Sequence, residues 1–373
     1  MTIVIQIYIL ICISLLVFDV CFLLLKNRRT DIFFPHNINL EKNIESEILV
    51  HKNQGKFSEG FAMRLSEKLR ETQNMITLIT VLDTYPEYKN LFKPFVLEKI
   101  EDYQKKTDYE QAYYTYVVSY FDYEEKDITG SFNAKFFEFL DSKSLYTFIN
   151  AMEAYYKFGD EDLLLKALDK VEERQGFYNH KLLVDGLLSS KVNFKTFNQK
   201  LLQNFDKYSD FTKVALLDYF RYNGEEVSEL CLKLMHTPST DLEVRYSALR
   251  YFTKFKNEKA RRYCMDILNQ EKYGWIDQML AIQILEKFKN PDVYQTVKNK
   301  IYSPNWYVRL NAANYLYKYN ITKAELFDIL NHKDKYANEI LLYQCREDEE
   351  LTQFISNTIE ILESEENKGE EHA

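Results

Sequence analysis

Six histidines are the side chains best suited to moving protons or holding a metal near neutral pH: His36, His51, His180, His236, His332 and His372. No two share a helical turn, and no HExxH pattern occurs, so a paired-histidine metal site on one helix is not encoded. The five cysteines, Cys12, Cys21, Cys231, Cys264 and Cys345, are odd in number and never in CxxC spacing, which reads as reduced thiols rather than a disulfide framework or a zinc site. There is no GxGxxG or Walker-type loop to cradle a phosphate and no GxSxG elbow to present a nucleophile. Carboxylates abound, but without a recognisable acid–base pair. The chain is therefore expected to have no catalytic residue, no bound metal and no cofactor, although a site built by folding from distant residues stays open.

One run of charge stands apart. Arg245, Arg250, Lys254, Lys256, Lys259, Arg261 and Arg262 are opposed in that stretch only by Glu258. On adjacent helices, Arg250, Lys254, Lys259, Arg261 and Arg262 could present a patch to phosphate, anionic lipid or an acidic partner; the alternative is an ordinary solvated face. Elsewhere the charge argues against nucleic acid as a general target. The net charge is −9, and residues 347–373 hold ten acidic residues against Lys368 alone, so the rest of the chain is neutral. A nucleic-acid-binding body would carry a basic excess.

The elements that must position these residues are helices. The 373 residues include only 9 glycines and 6 prolines, whereas sheets and phosphate loops spend glycine on turns and close backbone approach. Ile3–Leu25 is an almost unbroken apolar run. As a helix it would reach about 34 Å, enough for a hydrocarbon core of about 30 Å. It lacks the basic start and small-residue cleavage site of a signal peptide. An uncleaved transmembrane anchor over 1–25 is expected, and Lys26, Arg28 and Arg29 after it place the bulk of the chain in the cytoplasm, N-terminus out. Asp19 is the ionisable residue within that run. Its two readings are a contact with a polar residue of another membrane protein, or a carboxyl near enough to the helix end to reach water.

After the anchor, residues 26–56 read as a connector with a short helix near 40–52. Residues 57–141 read as a helical cap or degenerate repeats, 142–346 as a repeat array, and 347–373 as an amphipathic capping helix with a disordered acidic end from Glu363. Breaks fall at Gly130, Gly159, Gly176, Gly224, Pro238, Pro291 and Pro304, with Asn290 and Ser303 placed as helix N-caps. The array shows internal repetition. Asp241–Phe255, Gly274–Phe288 and Asn305–Tyr319 align with offsets of 33 and 31 residues, each with a small residue (Ala248, Ala281, Ala312), then a large apolar one (Phe252, Leu285, Leu316), then an aromatic (Phe255, Phe288, Tyr319). Second helices are expected over Lys259–Leu268, Val293–Ile301 and Ala324–Leu330. Ala215 and, further upstream, Ala151 continue the pattern more weakly. The tyrosine and phenylalanine abundance, 29 and 26 residues, reads as seam packing. Trp275 and Trp306 open successive first helices, and their equivalent positions suggest equivalent packing at the inter-repeat turn, although exposed they could be binding anchors.

The pattern Asp–x–x–Val–Arg–x–x–Ala, present as Asp241, Val244, Arg245 and Ala248, resembles the first-helix signature of HEAT repeats. Asn305, Val308, Arg309 and Ala312 match it with Asn for Asp; Gly274 and Gln278 depart from it, which breaks any continuous Asp–Arg ladder. The resemblance implies an all-α chain: an N-terminal transmembrane helix, then an α–α superhelical solenoid. It also implies a non-catalytic scaffold or accessory subunit whose partner is a protein, and with the anchor a membrane protein, such as a bacterial surface-polysaccharide glycosyltransferase system. The competing expectation is a HEAT-fold enzyme or nucleic-acid-acting protein, comparable to helical-repeat DNA glycosylases or lyases, that uses the basic run 245–262.

Overall fold

The computed structural model describes Gln6 and residues 10–20, 37–123, 127–174 and 178–370. All secondary structure among the described residues is helical, and the chain divides into two compact units.

Unit 1 comprises Met1–Asn179 with Ser189–Gln203. Its helices are α1 (Ile38–Gln54), α2 (Phe61–Lys68), α3 (Thr72–Thr84), α4 (Lys89–Leu97), α5 (Ile100–Gln104), α6 (Asp108–Tyr120), α7 (Gly130–Phe137), α8 (Leu145–Phe158) and α9 (Glu161–Glu173). Two more, α10 (His180–Ser189) and α11 (Phe194–Asn204), fall mainly in units 2 and 1 respectively. Residues 38–54, expected as connector with a shorter helix, form a full helix. Its Leu40, Ile44 and Ile48 are buried, and it packs on α3. In turn α3 packs on α6 and α6 on α8. These first helices begin at residues 38, 72, 108 and 145, 34 to 37 residues apart, with second helices between them. Residues 57–141 are thus helical throughout most of their length, with first helices spaced close to the 31–33 residues of the later ones.

Unit 2 comprises His180–Leu188 with Asn204–Ala373. Its pairs are α12 (Asp210–Asn223) with α13 (Ser228–His236), α14 (Leu242–Phe252) with α15 (Glu258–Asn269), α16 (Trp275–Leu285) with α17 (Pro291–Lys298), α18 (Trp306–Lys318) with α19 (Lys323–Asn331), and α20 (Lys335–Cys345) with α21 (Glu349–Glu370). Each first helix packs on the next, α12 on α14 through to α18 on α20. This side-by-side succession is consistent with an α solenoid. The seam is built as the residue types require: Ala215, Ala248, Ala281 and Ala312 are fully buried, and a methyl at that turn lets neighbouring helices approach. Phe252, Leu285 and Leu316 fill the space beside them and are equally buried.

Local chemistry sets the helix boundaries. Asp241, Asn257 and Asn305 each accept two backbone N–H bonds as N-caps, and Thr322 with Glu325 forms a capping box. Gly224 ends α12 in the left-handed region (φ 86°), where a side chain would be strained, and donates its N–H to Phe220 O at 3.0 Å. Asn290 precedes Pro291 at the start of α17 as expected. Ser303 does not cap α18: that helix starts two residues later under Asn305, and Ser303 Oγ instead accepts from Asn305 N. The last helix runs to Glu370, past the point where a disordered end was expected.

No helix among the described residues is long and apolar enough to cross a membrane. Within the expected anchor, residues 10–20 are helical with exposed apolar side chains, Leu10, Leu16 and Phe18 among them. The remainder of Ile3–Leu25, and Lys26, Arg28 and Arg29, lie outside the described residues apart from Gln6.

Candidate docking surface

The cationic residues of the 245–262 run are largely spent on neighbouring repeats. On the second helices, Lys259 Nζ meets Glu229 of α13 at 2.8 Å, and Arg261 bridges Glu258 at 2.7 Å and Asp292 of α17 at 3.1 Å. The same rung recurs from α17 to α19 as Lys298–Asp328 at 2.6 Å, and from α19 to α21 as Lys323–Glu350 at 2.5 Å. On the first helix α14, Arg250 donates to Ser247 Oγ at 3.0 Å with Glu243 at 3.8 Å, and just past its end Lys254 donates to the carbonyls of Arg221 and Tyr222. The five residues expected as one anionic-partner patch are thus divided between two rows of helices, four of them with partners. Arg262 is exposed and has no ion pair among the described residues.

The signature residues act structurally. Asp241 caps its own helix and does not bind Arg245. Arg245 reaches forward to Asp277 Oδ1 at 2.8 Å, so the link between these repeats is supplied by the unit that lacks the signature Asp and Arg. Asp277 sits in the first turn of α16, three residues past Gly274, and is buried. Burial pushes its carboxyl up, while the Arg245 guanidinium and backbone N–H groups pull it back. Arg309, the matching residue in the next repeat, donates to Ser303 O at 2.6 Å and lies 5.0 Å from the Tyr336 ring centroid. No continuous Asp–Arg ladder forms, as the departures at Gly274 and Gln278 implied.

Two recesses flank this row. A cavity of about 640 Å³ is lined by Arg245 and Asp277 together with His236, Tyr246, Tyr263 and Tyr273. Tyr263 is already bonded: its OH donates to Met235 O at 2.8 Å, and His236 packs on its ring at 4.7 Å. The second recess, about 350 Å³, lies between α18 and α20 and is lined by Leu310, Asn311, Asn314, Tyr317, Tyr343 and Gln344. Side-chain amides link the first helices here. Gln283 Nε2 donates to Asn311 Oδ1 at 3.0 Å, Asn314 Nδ2 to Glu286 at 3.0 Å, and Gln344 Nε2 to Asn314 Oδ1 at 3.5 Å. Lys318 Nζ closes on Glu286 at 2.8 Å. Tyr343 is half exposed and stacks with the Arg346 guanidinium at 4.4 Å.

Sequence reasoning did not single out Asp277, nor the row Gln283, Glu286, Asn311, Asn314 and Gln344. The available signal was their recurrence at offsets close to the repeat length. Trp275 and Trp306 are exposed, and Trp275 stacks on Tyr307 at 5.3 Å and 20°. Asp19 is exposed and has no ion pair among the described residues.

No group of three or more metal-ligating side chains occurs among the described residues. Cys231, Cys264 and Cys345 are free and buried, and burial pushes all three thiols up, away from the reactive thiolate form. The chain matches no protein-family model and no curated protein.

Proposed function

We propose that this chain is a membrane-tethered, non-catalytic scaffold of HEAT type, whose unit 2 holds a protein partner along the faces of its first helices. The observation that carries the reading is the chemistry of the α18–α20 recess. Its walls are amides, tyrosines and an aliphatic side chain, which offer donors and acceptors to a polypeptide but no group that changes protonation near neutral pH. Arg346 and Glu347 at its edge add charges of both signs, as in the polar rim of a protein interface. The apolar run Ile3–Leu25 supports the tether, and the basic residues after it support a cytoplasmic body. Confinement to the membrane surface raises the effective concentration for a partner that is itself a membrane protein, and Asp19 is then available to a polar group of that partner's transmembrane helix.

The test is co-purification of full-length chain from native membranes in mild detergent, comparing wild type with a variant carrying Asn314→Ala and Tyr343→Ala, and with Asp19→Leu. The reading expects a defined partner with the wild type that is lost or depleted with the double variant. An identical partner profile for all three would remove the recess and Asp19 from the binding surface. Recovery of full cellular function by an untethered 57–373 chain would remove the tether.

A further inference from the structure

Both tryptophans of the chain occupy the same structural position in unit 2, the first residue of a first helix: Trp275 in α16 and Trp306 in α18. Tyr307 and Tyr336 are the second residues of α18 and α20, and Leu242 is the first of α14. These five side chains are between 43% and 60% exposed. The aromatic ones are ordered against one another: Trp306 meets the edge of Tyr307 at 5.1 Å, Tyr307 stacks on Trp275, and Tyr336 covers Arg309. Because first helices pack side by side, equal positions in sequence become a row in space. At an interaxial spacing of 8–10 Å, four helices carry this row about 30 Å along one edge. Unit 1 repeats the placement, with exposed Tyr109 and Tyr146 as second residues of α6 and α8.

The composition of the band identifies the surface it meets. Trp and Tyr combine a large apolar ring with one polar atom and concentrate where lipid headgroups meet acyl chains. The turns that lead into the row carry exposed Lys272, Lys333 and Lys335, whose stems can lie along apolar surface while their ammonium groups reach lipid phosphates. Carboxylates share this edge: exposed Glu271 lies beside Lys272, exposed Asp241 and Glu243 flank Leu242, and Lys335 lies 3.9 Å from Glu339, so the aromatic rings rather than the charge carry the assignment. A protein hot spot would gather its aromatics around one centre within a sealing rim, whereas this row is extended and tracks the helix edges.

We infer that unit 2 rests this aromatic edge in the headgroup layer of a bilayer. The inference rests on the tethered-scaffold reading and adds an orientation to it. The faces that start at Tyr307 and Tyr336 continue to Asn314 and Tyr343, two turns or about 10 Å further along each helix. The aromatic end lies in the lipid surface, and the amide-lined recess stands just above it, at the height of a membrane partner's juxtamembrane segment.

Since the chain has only two tryptophans, both in the band, its intrinsic fluorescence reports on this edge directly. Full-length chain is reconstituted into vesicles of equal parts phosphatidylcholine and phosphatidylglycerol. The phosphatidylcholine is either unmodified or brominated high on its acyl chains, and vesicle association is checked by flotation. Emission is expected to be at least halved by the brominated lipid and to be shielded from aqueous iodide. Trp275→Phe and Trp306→Phe, which keep an aromatic in place, should each show the same response from the remaining indole. If the chain floats but brominated lipid leaves emission unchanged while iodide quenches it, the orientation is wrong and the tether stands. If the chain does not float, the tether fails and this inference fails with it.

Discussion

The two units solve the same packing problem with different side chains. In unit 1, first helices α6 and α8 are joined by side chains bonded to backbone: Thr147 Oγ1 donates to Asp108 O at 3.3 Å, Asn150 Nδ2 to Ala112 O at 2.9 Å, and Lys157 Nζ to Ser119 O. In unit 2, Lys254 Nζ likewise donates to the carbonyls of Arg221 and Tyr222, whereas the next joints add side-chain-to-side-chain bonds through Gln283, Asn311, Asn314 and Glu286. In unit 1 the buried rings cluster: Phe136 lies within 6 Å of Phe132, Phe139, Tyr155 and Phe158, and Tyr103 stacks on Tyr114 at 4.7 Å. Unit 2 buries Tyr219, Tyr251 and Tyr315 beside the seam alanines and exposes Trp275, Trp306, Tyr307 and Tyr336 where first helices begin, as unit 1 exposes Tyr109 and Tyr146. The difference teaches that the same seam turn of a first helix can be filled by a large side chain, as at Leu78 and Tyr114 in unit 1, or by a methyl group, as at Ala248, Ala281 and Ala312 in unit 2.

The largest effect that tests this contrast is in the seams. Tyr114→Ala in unit 1 removes a fully buried ring and should cost about 3–5 kcal/mol, as for other large-to-small aromatic truncations. Ala281→Leu in unit 2 forces bulk into a seam spaced for a methyl and should cost about 1–3 kcal/mol. Denaturant unfolding tracked by circular dichroism measures both. If Ala281→Leu were neutral, the close approach of α14, α16 and α18 would not depend on the alanines.

Next comes the Arg245–Asp277 link. Arg245→Leu strands a buried carboxylate and should cost about 3 kcal/mol. Asp277→Asn keeps an acceptor for the guanidinium and removes a charge that burial already disfavours, so it should cost about 1 kcal/mol or less. Equal losses for the two would show that the pair's charge, rather than its satisfaction, holds the repeats together.

A third contrast is read by acid. In unit 1, Asp122 accepts from Lys191 at 2.8 Å and pairs with Lys89 at 2.7 Å, and these two ammonium groups hold its carboxyl down at about 2. Its folded pKa therefore lies below the ordinary value of about 3.9. The stabilisation is fully present above that value and is lost as the pH falls through about 2. The gap in Tm between wild type and Asp122→Asn should be constant from neutrality down to about pH 5 and should close between there and pH 2. A gap that opened on acidification would contradict the assigned direction of the shift. The smallest effect is expected at the exposed rung Lys259–Glu229, where Lys259→Ala should change stability by less than about 0.5 kcal/mol.

The same contrast explains how much of the fold and site was legible in the sequence. The repeat showed between 237 and 335 because alanine marks one turn of each first helix there, at offsets of 33 and 31. In unit 1 the corresponding turns of α3 and α6 carry Leu78 and Tyr114 instead, both fully buried, so the small-residue period vanishes while the packing persists. Pro94 within α4, and 3-10 turns at Pro86–Tyr88 and Glu138–Asp141, lengthen the spacing further and blur it. The basic run was legible as a run but not as a surface. Its partners Glu229 and Asp292 lie about one repeat away and become neighbours only when second helices align. Asp277 was missed because it takes up the partner role three residues past the position where the signature places its Asp. The aromatic row was half legible: the tryptophans stood out by position, whereas Tyr307 and Tyr336 needed the exposure of each first turn to be seen as their continuation.

The central claim is that unit 2 binds a partner through the recess between α18 and α20 while the chain is held at a membrane. It is tested most directly by a site-specific photocrosslinker placed at Tyr343 of the full-length chain in intact cells, with membrane fractionation after irradiation. The account predicts a discrete crosslinked product in the membrane fraction, abolished by Asn314→Ala without loss of the chain itself. A chain that fractionates with membranes yet gives no product from Tyr343, or the same product with and without Asn314→Ala, would contradict it.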